Sequence, residues 1–127
     1  MKVFYNFHPI GQGLFYSLLI GKYSVVYDCG SFNQSALLRE INSFKEYKPR
    51  NNKIDLLVVS HFHEDHINGL DALLQNETVG TVIIPYVSPA HRLLYAATKQ
   101  GTLSNSEISF LSNPVQYFLE KKVNNII

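Results

Sequence analysis

The sequence contains one cysteine, Cys29, and no tryptophan. A single cysteine forbids an intrachain disulfide and excludes a cysteine-rich zinc site. No apolar run approaches the roughly 20 residues that a membrane-spanning helix requires, and the first residues lack the apolar segment and the cleavage site of a secretory signal. These absences predict a soluble, cytoplasmic protein that does not engage a membrane.

Charged residues are few and balanced in sign. The 127 residues carry a formal net charge of +1, with 17% charged and 46% hydrophobic residues. A dedicated nucleic-acid binder has a basic surface, and this balance excludes one. A nucleotide substrate stays open, because bound metal ions can supply local positive charge. The length predicts one domain that buries a core of its own.

Hydrophobic patterns along the chain predict an α/β (α+β) architecture. Alternating or continuous apolar runs predict strands at residues 3–7, 14–20, 23–27, 54–60 and 79–86. Helical periodicity and capping signals predict helices at residues 34–47, 67–75, 88–101 and 113–123, with another that begins at Ser104. Gly21 and Lys22 predict a two-residue hairpin turn. This order predicts a layered fold with at least one covered sheet.

Three of the five histidines lie in the run His61-Phe62-His63-Glu64-Asp65-His66, directly after a predicted strand. In an extended loop, residues i and i+2 point the same way, so His61, His63 and Asp65 would converge. His66 would approach from the start of the next helix. Zinc binds histidine nitrogen and aspartate oxygen, and two groups of ligands suit two adjacent ions. The alternative is a surface loop of solvated histidines.

The run resembles the His-x-His-x-Asp-His motif of the metallo-β-lactamase superfamily. Residues 54–60 resemble the strand that precedes that motif, and residues 67–70 resemble its continuation. Val26-Tyr27-Asp28-Cys29-Gly30-Ser31 resembles the family's first motif. The segment Gly11-Gln12-Gly13 resembles the sequence before the hairpin in one branch of the family, which contains the hydrolase domain of DNA-uptake competence proteins. The resemblance extends over residues 1–87 and implies the N-terminal half of an αββα sandwich, a mixed sheet with helices on one face.

The resemblance implies a role for each matching residue. His61 and His63 would bind a first metal ion, Asp65 and His66 a second, and Asp28 would lie behind the ligands and orient them. Two Zn²⁺ ions are implied, with Mn²⁺ or Fe²⁺ as alternatives. The implied chemistry is hydrolysis by a metal-activated water, which Asp65 would help to orient as the catalytic residue.

The superfamily completes this site with a further histidine, a bridging aspartate and a late histidine. Downstream of the motif the sequence offers only His91 and Asp71, both in predicted helices. The resemblance therefore implies a single metallo-β-lactamase-like domain, residues 1–127, that lacks the second half of the fold. Either the chain is a fragment of a longer protein, or a homodimer or another chain supplies the missing half. Without it, a sheet face lined by Phe4, Leu18 and Val25 would be exposed.

Three functions are compatible with these residues. The leading hypothesis is hydrolysis of a phosphodiester in a small-molecule or nucleotide-type substrate, with acyl bonds such as thioesters and lactams open. The alternative is a catalytically incompetent metal-binding or partner-binding module that needs a second chain. A flavin-linked relative typically has glutamate in place of the second motif histidine, so His63 disfavours it. We expect structural roles for His8 and Cys29, and a solvated or packed His91.

Overall fold

The computed structural model describes residues 1–127 and contains one six-stranded sheet. The strands are Val3–Phe7 (β1), Gly13–Ile20 (β2), Tyr23–Ser31 (β3), Lys53–Val58 (β4), Thr78–Ile83 (β5) and Lys122–Ile126 (β6). The helices are Gln34–Tyr47 (α1), Glu64–Ile67 (α2), Leu70–Leu74 (α3), Pro89–Thr98 (α4), Asn105–Ser112 (α5) and Pro114–Leu119 (α6). None of the helices is both long and apolar enough to cross a membrane.

The sheet is mixed, and its strands lie side by side in chain order. β1, β2 and β3 form an antiparallel meander, with Gly21 at φ 57° in the tight turn between β2 and β3. β3, β4, β5 and β6 are parallel. Parallel neighbours require crossover connections, which the helices provide. The predicted α/β fold with a mixed sheet and helices on one face is confirmed.

One cluster of buried hydrophobic side chains joins the helices to the sheet. Leu37, Ile41 and Phe44 of α1 recur at helical spacing and are fully buried. The apolar stripe of the helix is therefore the face that packs into the core, as the sequence pattern predicts. Asn33 caps α1 by accepting a hydrogen bond from the Ala36 amide at 3.1 Å. The observed α1 has the predicted bounds, because a cap and a continuous apolar stripe both define it.

The opposite face of the antiparallel strands is apolar and partly open. Residues directly opposite each other in neighbouring strands share a face, and the register aligns Tyr5, Leu18 and Val25. Tyr5 is 72% exposed. Phe4 instead pairs with the buried Leu19, so it belongs to the helix-covered face. The expectation that Phe4 shares a face with Leu18 and Val25 was wrong, because side chains alternate along a strand.

Three elements differ most from the sequence-based prediction. β3 continues to Ser31, although it was predicted to end at Tyr27. The helix predicted over residues 67–75 is two short helices, α2 and α3, that meet at Asn68 and Gly69. The last predicted helix ends at Leu119, and β6 follows it. β6 contains two asparagines, which have low strand propensity. Pairing with β5 forms this strand, a tertiary contact that local sequence does not show.

A buried polar network ties the sheet to α1 away from the histidine run. His8 Nε2 lies 2.8 Å from Ser17 Oγ, and His8 Nδ1 lies 3.0 Å from Glu40 Oε2. Tyr47 Oη lies 3.2 Å from the same Ser17 hydroxyl. Burial lowers the pKa of His8, although Glu40 opposes that shift. The mutual hydrogen bonds satisfy these buried groups, which indicates a structural role for His8.

Candidate metal centre

The histidine run lies just beyond the carboxyl end of β4. His63 has an extended backbone with ψ 147° and forms the N-cap of α2, which begins at Glu64. Asp65 is therefore in the first turn of a helix and not in an extended loop, as the sequence interpretation assumed. A site beyond the carboxyl ends of parallel strands is typical of open α/β sheets.

The structure brings the motif side chains together. The ring of His61 lies 3.8 Å from the ring of His66 and 4.8 Å from the ring of His63, measured between centroids. His66 Nε2 lies 3.8 Å from Asp65 Oδ1, within the roughly 3–4 Å that separates two ligands of one zinc ion with bonds of about 2.1 Å. Imidazole nitrogens and a carboxylate oxygen thus share one small region.

Asp28 supports this group from behind the rings. Its carboxylate is fully buried, and its backbone is in the left-handed region at φ 56°. Oδ1 accepts a hydrogen bond from the Ser60 amide at 2.7 Å. Oδ2 accepts one from His66 Nδ1 at 2.8 Å and another from the Ser60 hydroxyl. Three hydrogen bonds therefore occupy the Asp28 carboxylate.

The same hydrogen bonds fix the tautomers of two histidines. The Ser60 hydroxyl donates its proton to Asp28, so it accepts from His61 Nδ1, which lies 2.8 Å away. His66 donates its Nδ1 proton directly to Asp28. In the neutral form of each ring, Nε2 is then unprotonated. Metal-binding histidines typically donate a hydrogen bond from one ring nitrogen, which leaves the lone pair of the other nitrogen available for the metal ion.

Asp28, His61 and His66 offer donor atoms that all lie within 4.8 Å of one another, a group able to hold a metal ion. This geometric group includes Asp28 and leaves out His63 and Asp65, the other two ligands that the resemblance implies. We assign Asp28 to the supporting role, since its oxygens are already engaged with Ser60 and His66. The mixture of imidazole and carboxylate donors suits zinc and related divalent metals.

The surroundings of His61 favour its neutral form, which is the form that binds metal. Burial lowers the pKa of His61, and the neighbouring charge of His66 lowers it further, while Asp28 partly opposes both. A lowered pKa favours the neutral ring, whose free lone pair can bind a cation.

Two glycines let residues 61–66, the candidate metal loop, lie directly against β2 and β3. A Cβ on Gly30 would lie 2.5 Å from the Asp65 carbonyl carbon and 2.6 Å from the His66 amide nitrogen. A Cβ on Gly13, at φ 141°, would lie 2.8 Å from the Asp65 carbonyl oxygen. Real side chains do not tolerate such contacts with backbone, so both positions require glycine.

The connection between α2 and α3 is anchored to the end of β3. The Asn68 side chain accepts from the Ser31 amide and donates to the Ser31 carbonyl, each at 2.9 Å. The Gly69 amide donates to the Cys29 carbonyl at 2.9 Å. Cys29 is fully buried, and burial raises the pKa of its thiol. Cys29 is therefore a packing residue, and its sulfur is not part of the donor group described above.

The downstream candidates are not part of the donor group. Asp71 is bound to Lys121 Nζ at 2.6 Å and to Tyr117 Oη at 3.1 Å. His91 is exposed in the first turn of α4 and borders a cavity of about 190 Å³ together with His61 and His63. Sequence reasoning missed another residue of this cavity, Tyr95 of α4, because no local pattern marks a contact made across about 30 residues.

The sequence profile of the Metallo-beta-lactamase superfamily matches residues 10–121. The chain belongs to the metallo-β-lactamase superfamily. This match covers both motifs on which the resemblance rested, and the mixed sheet with helices on one face agrees with half of that fold. A search of curated proteins found no match to this chain.

Two solved structures illustrate how far the likeness extends. The metallo-beta-lactamase fold protein YhfI from Bacillus subtilis is 26% identical over 66% of the chain, with a TM-score of 0.47. A diphosphatase from the PhnP family is 18% identical over 90% of the chain, with a TM-score of 0.44. The chain spans 37% of the length of each of these structures.

Proposed function

We propose that this chain carries the metal-binding half of a metal-dependent hydrolase. The observation that carries the proposal is the pair of histidine rings whose Nδ1 atoms are both tied to Asp28, His66 directly and His61 through Ser60. A buried carboxylate that fixes two neighbouring imidazoles in the metal-binding tautomer has no evident packing purpose. Superfamily membership supports hydrolysis as the general reaction.

Four side chains would hold the metal, with zinc as the proposed ion. His61 and His63 would bind one ion, and Asp65 and His66 a second. When bound, two divalent ions would lower the pKa of a water molecule and polarise the scissile bond of the substrate. Asp65 would orient the attacking water through its carboxylate. Asp28 and Ser60 keep the rings of His61 and His66 aligned throughout.

A phosphodiester is the substrate class that we propose. The residues around the cavity beside His61 and His63 include the cation Arg92 and no carboxylate. The positive charge of Arg92 attracts anions, which favours an anionic phosphate ester over a neutral thioester or lactam. The substrate would be a small molecule or a nucleotide.

We further propose that residues 1–127 form one domain whose ligand set is completed by additional polypeptide, in a homodimer or from a second chain. The open apolar face of β1–β3 supports this, because monomers rarely expose large contiguous apolar patches. Tyr5 and Phe7 are 72% and 70% exposed there. The same observation supports a second candidate function, a module without activity that binds metal or a partner.

Calorimetric titration with Zn²⁺ and Mn²⁺ tests metal binding. His61→Ala should abolish saturable binding, while Asp71→Asn, a control on α3 outside the donor group, should leave it intact. Equal binding by both variants would refute the site.

Hydrolysis of bis(p-nitrophenyl) phosphate and a generic thioester tests the reaction. We expect the chain alone to turn over both substrates slowly, and the phosphodiester faster than the thioester. Robust turnover by a verified monomer would refute the incomplete ligand set.

A further inference from the structure

Helix α4 lies beside the metal centre and is fixed there by Arg92. The guanidinium donates to the carbonyl oxygens of Leu111 and Ser112, both at 3.0 Å, and to that of Val87 at 3.1 Å. Leu111 and Ser112 are the last residues of α5, whose carbonyls lack partners within the helix. Arg92 therefore joins α4 to the end of α5 and holds it in place.

Tyr95 lies one turn after Arg92 on α4 and contacts the metal loop twice. Its hydroxyl accepts a hydrogen bond from the Glu64 amide at 2.8 Å. Its ring lies 5.0 Å from the ring of His63 at an interplanar angle of 19°, a stacked arrangement. One side chain therefore holds a proposed ligand and the backbone of the residue that follows it.

The helix that carries Asp65 and His66 needs such outside support. α2 has only four residues, and its N-cap, His63, makes no side-chain capping hydrogen bond. A single helical turn is unstable by itself, because nucleation fixes several residues for one hydrogen bond. The first amides of a helix also lack partners within it. The Tyr95 hydroxyl satisfies one of them, at Glu64.

We propose that Tyr95 is a positioning residue for the metal centre, which holds the His63 ring by stacking and the start of α2 by its hydrogen bond to the Glu64 amide. The metal part of this inference rests on the proposed function. Tyr95 would touch neither metal nor water. It would preorganise His63, Asp65 and His66, so that less conformational entropy is lost when metal binds.

Hydrogen exchange of the Glu64 amide in the metal-free full chain tests the contact itself. Tyr95→Phe removes the hydroxyl and keeps the ring, and we expect Glu64 exchange to rise about threefold to tenfold, the usual effect of one hydrogen bond. Tyr86→Phe removes a highly exposed hydroxyl in the segment between β5 and α4 and should change nothing. Unchanged Glu64 exchange in Tyr95→Phe would overturn the proposal, whether or not the chain binds metal.

Zinc affinity of the same variants tests the positioning role. We expect Tyr95→Phe to weaken Zn²⁺ binding about threefold to tenfold and Tyr95→Leu, which also removes stacking, by about 10–100-fold. Normal affinity in both variants, with faster Glu64 exchange, would overturn the role in metal binding. If the wild-type chain binds no Zn²⁺, the proposed function is refuted. Hydrogen exchange at the Glu64 amide still decides whether the Tyr95 contact exists.

Discussion

Asp28→Asn removes the charge that supports the metal centre and keeps the shape of the side chain. Asparagine is nearly isosteric with aspartate and tolerates the left-handed backbone that residue 28 adopts at φ 56°. The fold should therefore survive the change. The affected contacts are the three hydrogen bonds that the carboxylate accepts from Ser60 and His66.

The expected loss follows from the donors that face residue 28. If the new amide oxygen accepts from the Ser60 backbone, the amide NH₂ occupies the position of Oδ2 and faces His66 Nδ1. Two donors cannot pair, so the His66 proton must move from Nδ1 to Nε2. Metal would then compete with that proton. Changes behind a metal ligand typically cost about 10–100-fold in affinity, about 1.4–2.7 kcal/mol.

Competition of the protein with a chelator of known zinc affinity measures this loss. The matched control is Asp55→Asn, on β4, where the carboxylate accepts from the Ser24 amide at 2.8 Å. Both variants replace a carboxylate that accepts backbone and side-chain hydrogen bonds, a change worth about 1.5–3 kcal/mol of folding stability. Only Asp28→Asn should lose zinc affinity. Wild-type affinity in Asp28→Asn, or an equal loss in Asp55→Asn, would refute the assigned support.

Three further predictions concern stability and assembly. Gly30→Ala should displace the metal loop, since its Cβ would lie 2.5 Å from the Asp65 carbonyl carbon, so zinc affinity should fall; unaltered affinity would contradict the close approach. His8 is buried with a lowered pKa, so it takes up protons on unfolding and its contribution to stability is lost as pH falls below about 6.5. His8→Gln should therefore narrow the difference in urea midpoint between pH 7.5 and pH 5.5, and an undiminished difference would refute the assignment. Sedimentation at micromolar concentration should show a dimer or an unstable fragment. A monomer that unfolds cooperatively and binds no hydrophobic dye would refute the proposal that additional polypeptide completes the domain.

The sequence predicted elements wherever local signals agreed. α1 has the predicted bounds because a cap and an amphipathic stripe coincide, and β1 has them because aromatic and β-branched residues lie between clear breaks. The break between α2 and α3 was not predicted, because contacts with Ser31 and Cys29, distant in sequence, determine it. β6 was missed because it forms only by pairing with β5.

The candidate site shows the same division. A strand followed by closely spaced histidines predicts that metal ligands gather at the end of that strand, and the structure places His61, His63 and His66 together. The first motif predicted a supporting role for Asp28, but the relay through Ser60 required coordinates. Tyr95 carries no signal in the sequence, since its partner His63 lies 32 residues earlier and on a different element.

The most direct test of the metal centre is a long-range ¹H–¹⁵N spectrum of the five histidine side chains during a Zn²⁺ titration. We predict that His61 and His66 coordinate through Nε2 while their Nδ1 atoms stay protonated, and that the ring signals of His63 also shift. The buried His8 provides an internal control that should not respond. Unchanged signals from His61 and His66 at saturating Zn²⁺, or coordination through their Nδ1 atoms, would contradict the account.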